Sequence, residues 1–307
     1  VFDNETLLFA SQTERFTGKK NDRNLSHVMV RRLINLYGYP ERICWYERPF
    51  IKTLRQLEAG QGWKWKENNI KKYLKEYVFS CPIEYVDHHL SHAAGGYYTS
   101  KFDEACVVVL DAIGEYDTLT VWEGKGKDLT KRFNLTYPHS IGLWYSAMTQ
   151  RVGLKPNEDE YITMGMSAYG EPRHYPKMHF EMLNSSYELE FRDNLHLGFT
   201  DDFFVDAQDV DLASSGQLLL ENLLKNILQR AKINGYSRNL VYGGGVALNC
   251  LANRILGNYF DEMWIMPNPG DCGSSLGAAA LGYGKQLNWK DAFLGHNIPG
   301  KYPSEHI

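Results

Sequence analysis

Two histidines, His88 and His92, stand four residues apart in Asp87-His88-His89-Leu90-Ser91-His92-Ala93-Ala94, directly after the short apolar run Ile83–Val86. If Asp87 caps a helix that starts here, both rings share one face, with Cβ atoms about 5–6 Å apart. Imidazoles so placed can share one metal ion at distances of ~2.1 Å. His89 then points elsewhere. Two nitrogens do not complete a site, so a carboxylate must come from another part of the chain. Asp111 ends the apolar run Val107-Val108-Val109-Leu110, which reads as a buried strand. Ligands of α/β sheets bind at that carboxyl edge. Asp271 lies in Pro267-Asn268-Pro269-Gly270-Asp271-Cys272-Gly273, between the strand Met263–Met266 and a helix of small residues. Each residue also has a plainer reading: a hydrogen-bonded histidine pair, a turn residue at Asp111, a helix cap at Asp271. No glutamate follows the first histidine, so the pattern is not that of a zinc protease.

A second group is a glycine loop. The strand Asn239-Leu240-Val241-Tyr242 runs into Gly243-Gly244-Gly245 and then Val246-Ala247-Leu248-Asn249-Cys250, read as the start of a helix. Glycines let a backbone approach a ligand, and a helix start offers free N–H groups to phosphate. Asn249, one turn in, could reach a ribose or phosphate. The loop is neither a Walker loop nor a dinucleotide fingerprint. A turn required for tight strand–helix packing explains it equally. In a third stretch, Asn157 to Gly170, acidic residues open a helix and Gly165 sits among methionines. A capped helix with a methionine-rich core face accounts for it.

These residues need elements to position them. Period-two patterns predict strands near Leu7–Ser11, Ile83–Val86, Ala105–Asp111, Thr118–Trp122, Asn239–Gly243 and Met263–Met266. Helical periodicity predicts helices over Leu25–Tyr37, Glu67–Val78, Ser140–Val152, Ala213–Ile233, Val246–Leu256 and Leu276–Tyr283. The interleaving predicts an α/β protein with partly parallel sheets. Asn184–Phe204 is polar and reads as an insertion, and Gly295–Ile307 reads as a linker leading out of a domain. Asp3-Asn4-Glu5 reads as a hairpin turn without its preceding strand, so a short N-terminal piece is expected to be missing.

With 307 residues the chain can bury a large core. It is 43% hydrophobic and 23% charged, with a net charge of −4, so no global field favours nucleic acid or an anionic membrane. No apolar run reaches the ~18 residues of a membrane span. Five dispersed cysteines, with no Cys-x-x-Cys pair, suggest reduced thiols and a cytoplasmic protein.

Taken in order, several stretches together resemble one family: Glu14-Arg15-Phe16-Thr17; Asp87 to Ala94; Leu110-Asp111-Ala112-Ile113-Gly114-Glu115; Glu160-Tyr161 before Met164-Gly165; Ala168-Tyr169-Gly170-Glu171-Pro172; Gly243 to Cys250; and Gly270-Asp271 before Leu276-Gly277-Ala278-Ala279. The chain is similar to the carbamoyltransferases typified by nodulation protein U and tobramycin carbamoyltransferase. It departs from them at Ala112, where a glycine is common, at Ile162, where a lysine is common, and at Ser167-Ala168-Tyr169-Gly170, where Ala-Pro-Tyr-Gly is usual.

The resemblance implies a duplicated ribonuclease-H-like fold of two lobes, of the actin, sugar kinase and heat-shock ATPase superfamily, truncated at the N-terminus. It implies a catalytic domain over residues 1–294, divided near 140–210, and a linker at 295–307 toward an absent YrdC-like domain. It implies one divalent metal, iron above all, held by His88, His92 and Asp271, with Asp111 beside it or bound through water. Gly165, Gly243, Gly244, Gly245, Asn249 and Gly270 match positions around the adenine nucleotide. The implied reaction moves a carbamoyl group from carbamoyl-adenylate, made from carbamoyl phosphate and ATP, to a hydroxyl of a sugar, nucleoside or antibiotic. Asp111 or Glu115 would then orient or deprotonate that hydroxyl. The alternatives are a threonylcarbamoyl-tRNA transferase-like enzyme, a kinase of the same fold, and a nucleotide-binding regulatory module.

Overall fold

The computed structural model describes residues 1–4, 6–184, 189–200, 202–282, 287 and 292. Among the described residues, nine strands fall into three sheets. β1 (Phe2–Asp3) pairs antiparallel with β2 (Thr6–Leu7), and β3 (Ile43–Trp45) pairs parallel with β4 (Ile83–Tyr85). The main sheet contains β5 (Glu104–Gly114), β6 (Asp117–Lys125), β7 (Asp128–Thr136), β8 (Asn239–Gly243) and β9 (Glu262–Trp264), in the order β7-β6-β5-β8-β9. β5, β6 and β7 form an antiparallel meander, whereas β5, β8 and β9 run parallel.

β5 lies at the centre because Cys106 to Leu110 is apolar on both faces, as a strand covered on both sides must be. Side chains alternate between the two covers. Cys106, Val108 and Leu110 join a core with Trp144 and Leu219, from the helices Ile141–Arg151 and Asp209–Ile233. Val107 and Val109 face the opposite way, onto Ala93, Ala94 and Ala280 of the helices His88–Tyr97 and Asp271–Leu281. These last two helices are rich in small residues and pack closely. A Cβ added at Gly277 would lie 1.8 Å from the Ser91 carbonyl oxygen. β7 is one of the two outer strands of the described sheet and carries Lys131 and Arg132, the kind of charge that keeps an edge from pairing with other chains.

Several expectations are corrected. A short strand does precede the first turn, since Phe2 pairs with Leu7. The strand expected over Leu7–Ser11 is confined to Thr6–Leu7. β7 and β3 were not anticipated: β7 is almost wholly exposed and lacks alternation, and β3 has only three residues. The helix expected over Glu67–Val78 breaks at Asn69, whose side chain accepts from the Lys72 N–H and starts a new helix, Ile70–Lys75. Val246–Leu256 is a 3-10 turn, Gly245–Leu248, followed by one helical turn, Cys250–Asn253. The last helix begins at Asp271 rather than Leu276. The described part of 184–204 is no peripheral insertion, because Leu189, Phe191 and Leu195 enter the core. Residues 140–210, where the lobe division was expected, lie between β7 and β8, and β8 hydrogen-bonds to β5 within one sheet. The linker expected at Gly295–Ile307 lies outside the described residues. No helix among the described residues is long and apolar enough to cross a membrane.

Candidate metal centre

Parallel pairing of β3 and β4 aims both chains at one edge, where β4 leads through Val86 into the helix His88–Tyr97. Asp87 caps this helix, its Oδ1 accepting from the Leu90 N–H at 2.9 Å. His88 and His92 then stack one turn apart, 2% and 4% exposed, with their Nε2 atoms 3.1 Å from each other. His89 points away, Nδ1 lying 3.0 Å from Thr120 Oγ1.

Asp111 sits where the β5–β6 register shifts between Leu110 and Gly114. Its Oδ1 accepts from the Gly245 N–H at 3.1 Å, and its Oδ2 lies 3.3 Å from His88 Nε2 and 3.9 Å from His92 Nε2. Asp271 starts the helix that packs on the histidine helix. Its Oδ1 is 3.4 Å from His88 Nε2 and 3.3 Å from His92 Nε2. One ligand atom from each of the four residues lies within 4.8 Å of the other three. A tetrahedron whose corners lie ~2.1 Å from its centre has edges of about 3.4 Å, so the spacing suits one shared cation.

The donor chemistry fits as well. His92 Nδ1 donates to the Pro269 carbonyl at 3.1 Å, which leaves the Nε2 lone pair facing the cluster. The buried Nδ1 of His88 has no hydrogen-bond partner, and the nearest carboxylate oxygen on that side is Glu47 Oε2 at 3.9 Å. Burial disfavours charge on His88, but Asp111, Asp271 and Glu47 outweigh it and hold its pKa well above the ordinary value. Burial raises Asp271, yet hydrogen bonds from both imidazoles hold it well below the usual carboxylate range. The field that attracts a proton here attracts a metal cation too. Asp271 is also the open side: its Oδ1 is turned to the buried rings, while its side chain as a whole is 56% exposed.

Around this centre lies a shell that sequence reasoning missed. Glu47 accepts from Lys52 Nζ at 2.7 Å on its far oxygen. Arg48 grips Glu115, donating from its backbone N–H to Oε1 (2.6 Å) and from Nε to Oε2 (2.8 Å). It also donates to Asp87 Oδ2 at 2.7 Å. Glu115, expected as a candidate base, thus has both oxygens engaged and adopts a left-handed φ of 60°. Arg55 donates from Nε to the Glu115 carbonyl. The signal was present in Ile43-Cys44-Trp45 running into Tyr46-Glu47-Arg48, since charged residues end a short apolar run there as Asp111 does.

The glycine loop spends its N–H groups inside the protein. Gly244 donates to the Pro269 carbonyl at 2.9 Å and Gly245 donates to Asp111, while Gly243 is still paired in the sheet. Gly244 has φ +88°, and a Cβ there would meet the Leu110 carbonyl oxygen at 2.0 Å. Asn249 is 8% exposed, caps the helix Cys250–Asn253 and exchanges two hydrogen bonds with Gln217. Its amide therefore faces the interior. Gly165, on the helix Glu160–Met166, has open space where a Cβ would stand. Gly270 precedes the Asp271 helix and accepts from the Gly273 N–H.

A family model described as the carbamoyltransferase N-terminus matches residues 39–280, more than half of the chain. The chain belongs to this carbamoyltransferase family. It is 30% identical over 358 aligned residues to an uncharacterized protein of Synechocystis sp., covering 98% of this chain and 58% of that protein. Nodulation protein NolNO of Sinorhizobium fredii is 28% identical, over 65% of this chain and 31% of its own length. Nodulation protein U of the same organism is 40% identical over 75 residues, or 22% of this chain and 13% of that protein. This carbamoyltransferase chain thus spans 58% or less of each of these relatives. Among solved structures, full-length HypF in the phosphate- and nucleotide-bound form aligns with TM-score 0.47 and 13% identity, over 67% of this chain and 43% of that one. HypF of T. kodakarensis aligns with TM-score 0.43 and 14% identity, over 70% and 38%.

Proposed function

We propose that this carbamoyltransferase chain carries the transfer site of an O-carbamoyltransferase, which moves a carbamoyl group from carbamoyl-adenylate to a hydroxyl of a small-molecule acceptor. The observation that carries the reading is the convergence of His88, His92, Asp111 and Asp271 on one point in a chain of this family. These four would hold one divalent ion, iron being the first candidate. When bound, the ion supplies Lewis acidity toward a phosphate or carbonyl oxygen. Carbamoyl-adenylate would be formed from carbamoyl phosphate and ATP at a YrdC-like domain of the full-length protein.

In the transfer, the acceptor oxygen forms a bond to the carbamoyl carbon, the bond from that carbon to the adenylate phosphate oxygen breaks, and AMP departs. The acceptor proton must go to a base. Glu115 is clamped by Arg48, so Asp111 Oδ2 suits proton transfer better, in the arrangement where His88, His92 and Asp271 hold the ion directly and Asp111 stands beside it or reaches it through water. Positioned general bases contribute ~100- to 10,000-fold. Glu115 instead holds Arg48, and through it Asp87, the cap of the histidine helix. For the nucleotide, we keep the open surface at Gly165 and the loop from Gly243 to Gly245. The buried amide of Asn249 would support that loop through Gln217.

We further read the main sheet as one ribonuclease-H-like lobe. Three antiparallel strands followed by two parallel ones, in the order β7-β6-β5-β8-β9, support this reading, under which the lobe boundary would fall before β5. Two measurements test the function. The double variant His88→Ala/His92→Ala should lose bound metal while keeping its far-UV circular dichroism, and full metal retention refutes the centre. The full-length protein given carbamoyl phosphate, ATP and hydroxylated acceptors should yield a product heavier by one carbamoyl group in mass spectrometry.

A further inference from the structure

A pocket of about 460 Å³ shares Arg48 with the shell of the metal centre, and its other lining residues have no role above. That volume falls within the range of small-molecule sites. Its walls come from the start of the helix Pro49–Glu58, the helices Trp65–Asn68 and Ile70–Lys75, and the end of β4. Four cations line it, Arg48, Lys71, Lys72 and Lys75, and no aspartate or glutamate does. The charge of Arg48 is already met by Glu115 and Asp87. The three lysines share one side of their helix, Lys71 and Lys75 being one turn apart. Among the described residues none of the three is ion-paired, so they hold a local positive field in a chain of negative net charge.

The pocket also presents two aromatic rings. Phe50 and Trp65 stand edge to face, 6.3 Å between centroids, and are 52% and 37% exposed. Such surface costs free energy in water and is relieved when a ring covers it. The place is right for a reactant. Tyr85 lines the pocket and precedes His88 by three residues, at most about 10 Å of chain. Arg48 joins the wall to Asp87.

We propose that this pocket binds the acceptor of the transfer, and that the acceptor carries a phosphate on a six-membered ring; this rests on the carbamoyl-transfer reading above. The lysines take the phosphate, the aromatic pair takes the ring face, and a ring hydroxyl is directed toward the metal centre. A polycationic acceptor such as an aminoglycoside is repelled by the same lysines.

Calorimetric titration of the 307-residue protein tests this with glucose 6-phosphate, phenyl phosphate, glucose and tobramycin. At least one phosphorylated ring should bind, and glucose and tobramycin should bind about tenfold or more weaker. Lys71→Gln/Lys75→Gln, which alters only exposed side chains, should weaken the phosphorylated ligands by about tenfold or more, and Trp65→Leu should weaken them independently. Preference for glucose 6-phosphate over phenyl phosphate identifies a sugar phosphate, and the reverse identifies a planar aromatic one. Equal binding of glucose and glucose 6-phosphate overturns the proposal. So does phosphate-dependent binding that the lysine variant leaves unchanged, or no binding of any probe at millimolar concentration. The titration needs no turnover, so its failure leaves the metal centre standing. Metal retention in His88→Ala/His92→Ala sinks the centre without touching the titration.

Discussion

At the scale of single residues, Glu47 and Cys106 show how burial sets chemistry in opposite ways. Glu47 faces the unpartnered Nδ1 of His88 and is itself held by Lys52, which together keep its carboxyl below the usual range despite burial. Outer carboxylates that orient a ligating histidine are typically worth ~10- to 100-fold in metal affinity. Glu47→Gln is therefore expected to weaken metal binding by about that factor while preserving the fold, as read by competition with a chelator. Cys106 lies fully buried in β5, and burial raises its thiol from 9.0 to about 12. The folded state holds the proton more tightly than the unfolded one. The stability this contributes is complete below pH 9 and is lost as pH rises from 9 toward 12. Denaturant unfolding across that window should lose up to ~1.4 kcal/mol per pH unit through this thiol, and Cys106→Ala should remove that share of the slope.

At the scale of elements, the closeness of two helices decides whether a centre exists. The helix His88–Tyr97 supplies two nitrogens, the helix Asp271–Leu281 supplies a carboxylate, and small residues let them meet. Gly277→Ala would drive a methyl against the Ser91 carbonyl oxygen, so it should cost about 1–3 kcal/mol or more in unfolding and also lower metal affinity. Gly165→Ala is the contrast. With open space at the Cβ position and an interior helical site, it should be neutral or stabilise by about 0.5–1 kcal/mol.

The legibility of these elements followed their physics. β5 and β8 could be read because fully covered strands have continuous apolar runs, and Asp111 could be read because it ends one. His88 and His92 could be read from helical spacing, and Asp271 from its small-residue neighbours. β7 was not legible, since an exposed edge strand needs no apolar pattern. The clamp of Arg48 on Glu115 was not legible either, because it joins a loop after β3 to the β5–β6 turn and local periodicity carries no trace of such a contact. Asn249 was ambiguous, because an amide beside a glycine loop has the same sequence appearance whether it faces a ligand or caps a helix, and here it caps the helix Cys250–Asn253.

At the scale of the whole molecule, the chain spans a little over half of one curated relative and less of others. If carbamoyl-adenylate is made elsewhere in the full-length protein, the 307-residue chain by itself should not consume carbamoyl phosphate in the presence of ATP, as followed by phosphate or pyrophosphate release. Turnover by this chain alone would contradict the division of labour. Supplying preformed carbamoyl-adenylate should bypass the block.

The close helix pair has a consequence for how the protein comes into being. During synthesis both imidazoles and Asp111 emerge early, but the last oxygen of the quartet and the backbone carbonyl that sets the His92 tautomer belong to residues 269–271. A nascent or prematurely terminated polypeptide therefore offers an ion only a partial cage. If the quartet holds an ion as proposed, tight capture waits until residue 271 has been translated and its helix has closed on the histidine helix, so retained metal would report that this much of the polypeptide has been made and folded.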